Sequence, residues 1–558
     1  MGKEEEVYKC EKGISLDECE LAILRIAVDK AEEKEGHAIV NSPEVKKIIS
    51  IIEQYLKDTK LVAYGGTAIN SILPLEDQFY SKDVEIPDYD FFSPNAKEDA
   101  KKLADIYVKK GFTEVEAKNG VHEGTYKVFV NFIPVADITY IHKDIFSAIK
   151  REAIKKDGIL YAPPNYLRMA MYLELSRPAG DVSRWEKVLK RITLLNKNYP
   201  LQADNCWKKD FQRKMDTTDN NVDEIYDTIR ETFIKDQVVF FGGYAISLYS
   251  AYMPSKLKHK FKKYPDFDVL SVTPKKTAEK VKKALEKIGI DNVSLIERSS
   301  IGEIIAEHYE IKINNETVAF VYQPSACHSY NIINIDGEKV KIATIDTMLS
   351  FYLAFLYANK KYYDINRILC MSQYLFKVQQ HNRLQQKGLL RRFSVECYGH
   401  QETLEEMRAH KARKFIELKG KKGTEEYEKH FMRYSPADLK ADINTNTPIS
   451  KSSSTKSSSV KSLSKSSSSS TKSSLSKSSS PMSLSVKSSS PKSSTRPLSI
   501  RSSSMKSSSI KSSPTWSSTP TSLSSRPSSQ RSSSQKSSTR TKIIRKKRPK
   551  TKKKGWWD

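Results

Sequence analysis

Hydrophobic and polar positions along the chain form short apolar runs broken by glycine pairs and isolated carboxylates, and the breaks recur. At 61–72 the segment LVAYGGTAINSI passes from β-branched and aromatic residues through Gly65-Gly66 into helical spacing, and at 238–249 VVFFGGYAISLY does the same around Gly242-Gly243. This pattern predicts a strand that turns sharply into a helix, because glycine permits backbone turns that a side chain forbids. IPDYDFFS at 86–93 and YPDFDVLS at 264–271 form a second pair, VADITYI at 135–141 and VAFVYQP at 318–324 a third, and MYLEL at 171–175 and FYLAF at 351–355 a fourth. Matched positions lie 177, 178, 183 and 180 residues apart, in unchanged order. Four ordered motifs at nearly one offset predict two copies of a single unit.

Within each copy the first strand ends in Gly-Gly, a second carries Asp-x-Asp and a third carries Val-Ala. Apolar residues such as Leu167, Tyr172 and Leu175 then recur at helical spacing, predicting helical sections from about Pro164 to Leu195 and from about Ile345 to Phe376. The expected class is α/β (α+β), with two tandem units, each a mixed β-sheet with helices followed by a helical section. The expected divisions are an N-terminal helical segment at 1–40, the first unit at 41–150 with its helical domain at 151–225, the second unit at 226–345, a C-terminal helical region at 346–446 and a tail at 447–558.

Charge sharpens the last boundary. The 558 residues include 94 Lys and Arg against 67 Asp and Glu, a net +27. From Lys451 onward there are 25 basic residues and one acid, Asp558, so the first 450 residues hold 69 basic and 66 acidic groups. A uniformly basic body is thereby excluded, and any nucleic-acid groove on it must be local. The tail consists of serine blocks spaced by single Lys or Arg, with too little apolar surface to offset the entropy of ordering, so disorder is expected. Its last stretch, Arg540 to Lys554, closes on Trp556 and Trp557; it reads as an electrostatic arm for RNA, as a nuclear-type basic address or as a plain linker, and phosphorylation of its serines would reverse its charge. The six cysteines are scattered without a CxxC pair, so reduced thiols are expected and zinc is not. The start lacks an apolar leader, Glu6 breaks the myristoylation pattern, and no run of about 18 apolar residues predicts a membrane span.

The chemistry gathers in the first copy. The period-2 spacing of Asp88 and Asp90 puts both carboxylates on one face of a strand and Tyr89 on the other. With Asp137 on a neighbouring strand, three carboxylates could hold two divalent ions about 3.5–4 Å apart, an arrangement that stabilises in-line phosphoryl transfer. The Gly65-Gly66 turn would let backbone N–H groups approach phosphate oxygens, with Thr67 adding a hydroxyl. A lone Gly-Gly turn or a lone Asp-x-Asp is usually structural; their conjunction in strand-turn-helix order points to nucleotidyl transfer. Asp83 and Glu85 read as loop charges.

These residues resemble the DNA polymerase β-like nucleotidyltransferase superfamily through GGTAIN at 65–70, PDYDFF at 87–92 and Ala136-Asp137-Ile138. YLRMAMYLELSRPAGDVSRWEKVLKR at 166–191 narrows the likeness to the poly(A) polymerase catalytic subunits of large cytoplasmic DNA viruses, mimivirus-type with asfarvirus and poxvirus relatives, over roughly 40–430. The resemblance implies addition of AMP from ATP to the 3′-end of single-stranded RNA with two Mg2+ or Mn2+ ions. It implies Asp88 and Asp90 as ligands of both ions, Asp137 as ligand of the ion that activates the hydroxyl, and Gly65, Gly66 and Thr67 facing the triphosphate. Arg168, Arg184, Lys187 and Arg191 become candidates for nucleotide-phosphate or RNA contacts. It implies the cytoplasm of an infected cell, its viral factory, with packaging in the virion open. A processivity partner, a homodimer or the tail could each retain RNA.

The second copy keeps Gly242-Gly243, Asp266 and Asp268, but Phe320 falls where Asp137 stands and Tyr244 replaces Thr67. A phenyl ring cannot ligate a metal, so this copy is expected to be catalytically dead. Rival readings are a CCA-adding or other RNA nucleotidyltransferase, a 2′–5′ oligoadenylate synthase-like enzyme, and a non-catalytic RNA-binding scaffold.

Overall fold

The computed structural model describes residues 10, 13–211, 221–258, 266–382 and 385–436, all within one compact unit, Met1–Ser453. The expectations for the tail lie outside the described residues. Helix α1 (Leu16–Val40) starts on a capping box between Ser15 and Glu18, and α2 (Pro43–Thr59) starts on Ser42 with proline in its first turn and buries Val45, Ile48, Ile52 and Leu56.

The first copy then runs β1 (Val62–Ala63), α3 (Gly65–Ile72), β2 (Tyr89–Ser93), α4 (Ala96–Lys109), β3 (Val115–Asn119), β4 (Thr125–Val130), β5 (Ile133–Tyr140), α5 (Lys143–Arg151), β6 (Ile154–Lys156), β7 (Ile159–Tyr161), α6 (Pro164–Leu175) and α7 (Trp185–Asn198). The second runs α8 (Val222–Lys235), β8 (Val239–Phe240), α9 (Gly243–Tyr249), β9 (Phe267–Leu270), α10 (Pro274–Lys287), β10 (Val293–Arg298), β11 (His308–Ile313), β12 (Glu316–Tyr322), β13 (His328–Ile335), β14 (Glu338–Ala343), α11 (Ile345–Phe355) and α12 (Ile365–His381). The chain closes with β15 (Cys397–Tyr398), α13 (Leu404–Leu418), α14 (Glu425–Phe431) and β16 (Arg433–Tyr434).

The repeat seen in the sequence is a repeat of topology. One sheet has the order β3-β4-β5-β2-β1-β7-β6 and the other β10-β11-β12-β9-β8-β14-β13, matching strand for strand. Both are mixed: β2 lies parallel to β5 as β9 does to β12, while β1 and β8 lie antiparallel to β2 and β9. Each sheet gains one short late strand at an edge, β16 beside β3 and β15 beside β13. The first sheet therefore extends beyond position 150, taking in β6, β7 and β16. Among the described residues, one helix lying between paired strands is unmatched. Helix α5 follows β5, whereas β12 passes to β13 without a helix.

The equivalent helices α6 and α11 pack against each other, joining the copies through a largely apolar contact in which Tyr172 and Tyr352 are buried. Tyr166 meets Tyr357 edge-on at 5.2 Å. The cysteines correct the expectation of reduced thiols: they pair as Cys10–Cys19, Cys206–Cys370 and Cys327–Cys397. Cys206 and Cys370 are 164 residues apart, so only the packing of the segment after α7 against α12 brings them together. Among the described residues no helix is long and apolar enough to cross a membrane.

Candidate active site

Gly65 stands at φ +75°, and a Cβ on it would lie 2.3 Å from Asp90 Oδ2. Both the left-handed backbone and the close carboxylate require glycine at this turn. A Cβ on Gly66 would meet the two terminal guanidinium nitrogens of Arg191 at 3.0 Å. The turn is thus wedged between an acid and a base, at the start of α3. Thr67 Oγ1 donates to the Asp88 carbonyl oxygen at 2.7 Å, tying the turn to the second strand. The hydroxyl that the sequence reading offers to a phosphate has therefore spent its hydrogen on the backbone.

The parallel pairing of β2 with β5 sets Asp90 directly beside Asp137, and Asp88 lies two residues before Asp90, immediately ahead of β2. Tyr89 takes the opposite face and donates to Glu53 Oε1 at 2.8 Å. Burial, reinforced by the negative charges of Asp88 and Asp137, pushes the Asp90 carboxyl up to about 8. Burial and Asp137 also raise Asp88, while Lys127 and Lys187 pull it back. Lys127, which the sequence reading missed, ion-pairs with Asp137 Oδ2 from the adjacent strand, where β4 and β5 place the two residues opposite each other. A strand lysine carries no local signal of its own; the register of the hairpin would have found it.

Among the described residues no three His, Cys, Asp or Glu side chains converge as a metal-holding group, and Asp137 is turned to Lys127. The donor chemistry nevertheless fits a hard divalent cation. Asp88 and Asp90 lie close enough to Asp137 for its charge to raise both, and one ammonium is in direct contact with Asp137.

The basic candidates divide. Arg191 lies over the rings of Phe79 and Tyr80 at 4.9 and 5.2 Å, hydrogen-bonds to the Tyr80 hydroxyl and keeps a buried Nε without a partner. Lys187 sits 5.7 Å over the Tyr80 ring and lowers the pKa of both Asp88 and Glu85 by its charge. Glu85 is in a loop, as expected, though burial raises it. Arg184 is half exposed and pairs with Glu174 at 2.9 Å. Arg168 is corrected to a structural residue: it is 1% exposed, and Asn196 Oδ1 at 2.7 Å, Asn165 and the Tyr199 carbonyl satisfy its guanidinium.

The second copy repeats the framework. Cβ atoms on Gly242 and Gly243 would fall 2.2 and 2.5 Å from carboxylate oxygens of Asp268 and Asp266. Phe320 stands beside Asp268 in the same register that puts Asp137 beside Asp90. Here, however, Asp266, Asp268, Tyr244 and Phe320 are all buried, and Arg230 Nε donates to the Tyr244 hydroxyl at 3.1 Å. The position equivalent to the open site is packed.

Residues 50–181 match the poly(A) polymerase catalytic subunit family. A protein of African swine fever virus (strain Badajoz 1971 Vero-adapted), provisionally named poly(A) polymerase catalytic subunit, is 34% identical over 177 residues, covering 31% of this chain and 36% of the relative. A protein of Acanthamoeba polyphaga mimivirus with the same provisional name is 32% identical over 222 residues, covering 38% and 35%. The chain thus spans about a third of the length of these curated relatives. The crystal structure of the Megavirus polyadenylate synthase superposes with a TM-score of 0.65 at 21% identity, over 80% of this chain and 90% of that one, a likeness of fold.

Proposed function

We propose that this chain is a template-independent polynucleotide adenylyltransferase, moving AMP from ATP to the 3′-hydroxyl of RNA and releasing pyrophosphate. The observation that carries this reading is Asp90 set beside Asp137 and against the Gly65 turn, with Asp88 two residues ahead and within reach of Asp137's charge. In the reaction the RNA 3′-oxygen forms a bond to the α-phosphorus, the bond from that phosphorus to the α–β bridging oxygen breaks to release pyrophosphate, and the hydroxyl proton passes to solvent. Two divalent ions, Mg2+ or Mn2+, held by Asp88, Asp90 and Asp137, would supply the charge that acidifies the hydroxyl and neutralises the leaving pyrophosphate.

The chain's own groups do the positioning. Backbone N–H groups at Gly65 and Gly66 open the start of α3 to the triphosphate. Arg191, braced on Phe79 and Tyr80, and Lys187 beside it offer positive charge on the same side of the carboxylates, with Arg184 further out on Glu174. Lys127 holds Asp137 in place and offsets part of the acidic cluster. We assign catalysis to the unit expected at 41–150 and an architectural role to that at 226–345, where Phe320 replaces the third acid and the site is buried. The viral origin of the similar proteins supports action in infected cells.

Primer extension tests this. With labelled single-stranded RNA, a divalent ion and each NTP in turn, ATP alone should give a ladder or smear. Asp137→Ala should cut turnover by on the order of 10³-fold, the scale of several kcal/mol of charge stabilisation. Asp268→Asn should leave turnover unchanged; its loss in a folded variant would overturn the inactive-copy assignment. Extension with CTP would move the reading to a tRNA-type enzyme, primer-independent synthesis to an oligoadenylate synthase, and silence with retained RNA binding to a scaffold.

A further inference from the structure

A cavity of about 520 Å³ opens where β2 and β5 end, between the starts of α4 and α5. Its volume falls within the ~300–1,000 Å³ typical of ligand pockets. The carboxyl ends of parallel strands are where open α/β sheets bind ligands. Among the described residues no carboxylate lines it. Lys143 and Lys150 stand two helical turns apart on α5, with Phe146 between them, and Asn95 and the exposed ring of Tyr140 face them from the strand ends. Neither lysine forms an ion pair among the described residues, although Lys150 lies 5.4 Å over the Phe146 ring. In a body whose charges nearly cancel, this sets two cations near one exposed aromatic ring, Tyr140, with Phe146 buried beneath, the chemistry that holds a single nucleic-acid strand.

Two further observations tie the cavity to the catalytic copy. Tyr140 lies three residues beyond Asp137 on β5, roughly 10 Å along the strand and on the sheet's other face, so RNA leaving the acids would round the carboxyl end of β5 to reach it. And α5, which supplies most of the wall, is the one helix without a counterpart between β12 and β13, so the duplicated fold has it only beside the intact acids. Its start is braced by the second copy: Glu303 accepts the His142 backbone N–H at 3.2 Å, and a Cβ on Gly302 would lie 3.0 Å from the His142 side chain.

We propose that this cavity is a subsite for single-stranded RNA upstream of the 3′-end, with backbone phosphate between Lys143 and Lys150 and a base against Tyr140. The proposal rests on the adenylyltransferase reading for its direction relative to the acids, and it gives the inactive copy a task, holding α5 in place.

The test uses the full chain with Lys143→Ala/Lys150→Ala and, separately, Tyr140→Ala. All three side chains are exposed, so the thermal midpoint should not move. Extension is measured on a dinucleotide primer and on one of about 15 nucleotides, long enough to fill a single-strand site. For the long primer, KM should rise on the order of tenfold in Tyr140→Ala. In the double-lysine variant the salt slope of binding should fall by about 1.4, two phosphates at about 0.7 each. Dinucleotide extension, kcat and the KM for ATP should stay as in the wild type. Active variants with unchanged KM and slope, or an equal loss on both primers, would overturn the subsite. A wild-type chain that adds no nucleotide, while the double-lysine variant loses RNA affinity, would sink the adenylyltransferase reading and leave the subsite standing.

Discussion

Asp90 binds its proton up to about pH 8 in the folded chain, whereas an unfolded aspartate releases it near 3.9. Between those values the native state holds the extra proton, so in chelator this group's contribution to stability is full at low pH and falls as pH rises through about 8. The difference in thermal midpoint between Asp90→Asn and wild type should therefore widen in the variant's favour from acid to pH 8. Added Mg2+ should stabilise the wild type increasingly over the same range, because ion binding must displace that proton. A flat difference would remove Asp90 from the acidic cluster. The sequence exposed these acids because they sit in motifs that follow a glycine pair in the same order in both copies. It concealed Lys127, whose partner lies across a hairpin with a bulge at Val128–Phe129. It also misrepresented Arg168, since a charge in a helix reads as solvated until Asn165, Asn196 and the Tyr199 carbonyl are seen around it.

The strand-turn-helix beginning at β1 depends on one backbone conformation. Gly65→Ala places a methyl group 2.3 Å from Asp90 Oδ2 at φ +75°, and should cost about 1–3 kcal/mol together with most of the activity. Melting and primer extension on the same preparation would check both; a stable, fully active variant would mean that the turn relaxes at no cost. Elements like this were legible because glycine and alternating apolar residues are local signals. Strands β15 and β16 were not, because two residues have no periodicity and pair only through what the rest of the chain has built. Nor was the asymmetry of α5 visible, since the motifs that aligned the copies lie on either side of it. Two of the three cysteine pairs were hidden by distance, their partners being 70 and 164 residues apart.

Across the molecule, the two copies are held by α6 against α11 and by the bond between Cys206 and Cys370. Breaking that bond frees a long loop in the unfolded chain, so Cys206→Ser/Cys370→Ser should lose on the order of 2–4 kcal/mol in denaturant melts. Equal midpoints with and without reductant would show that packing alone suffices. The tail adds 25 basic residues to a nearly neutral body. If it retains RNA electrostatically, deleting 451–558 should shorten products at moderate salt and leave them unchanged at low salt. The pairing of β16 with β3 bears on how the protein is made. The outer edge of the first sheet is finished by β16, the last of the described strands, which leaves the ribosome after the whole second copy has been translated. At about 5–20 residues per second, the roughly 300 residues between β5 and β16 take on the order of 15–60 s to emerge. Through that interval the newborn first copy presents an unpaired edge of the kind that recruits other strands. The second copy, emerging and folding meanwhile, is therefore also the delay during which that edge must be shielded.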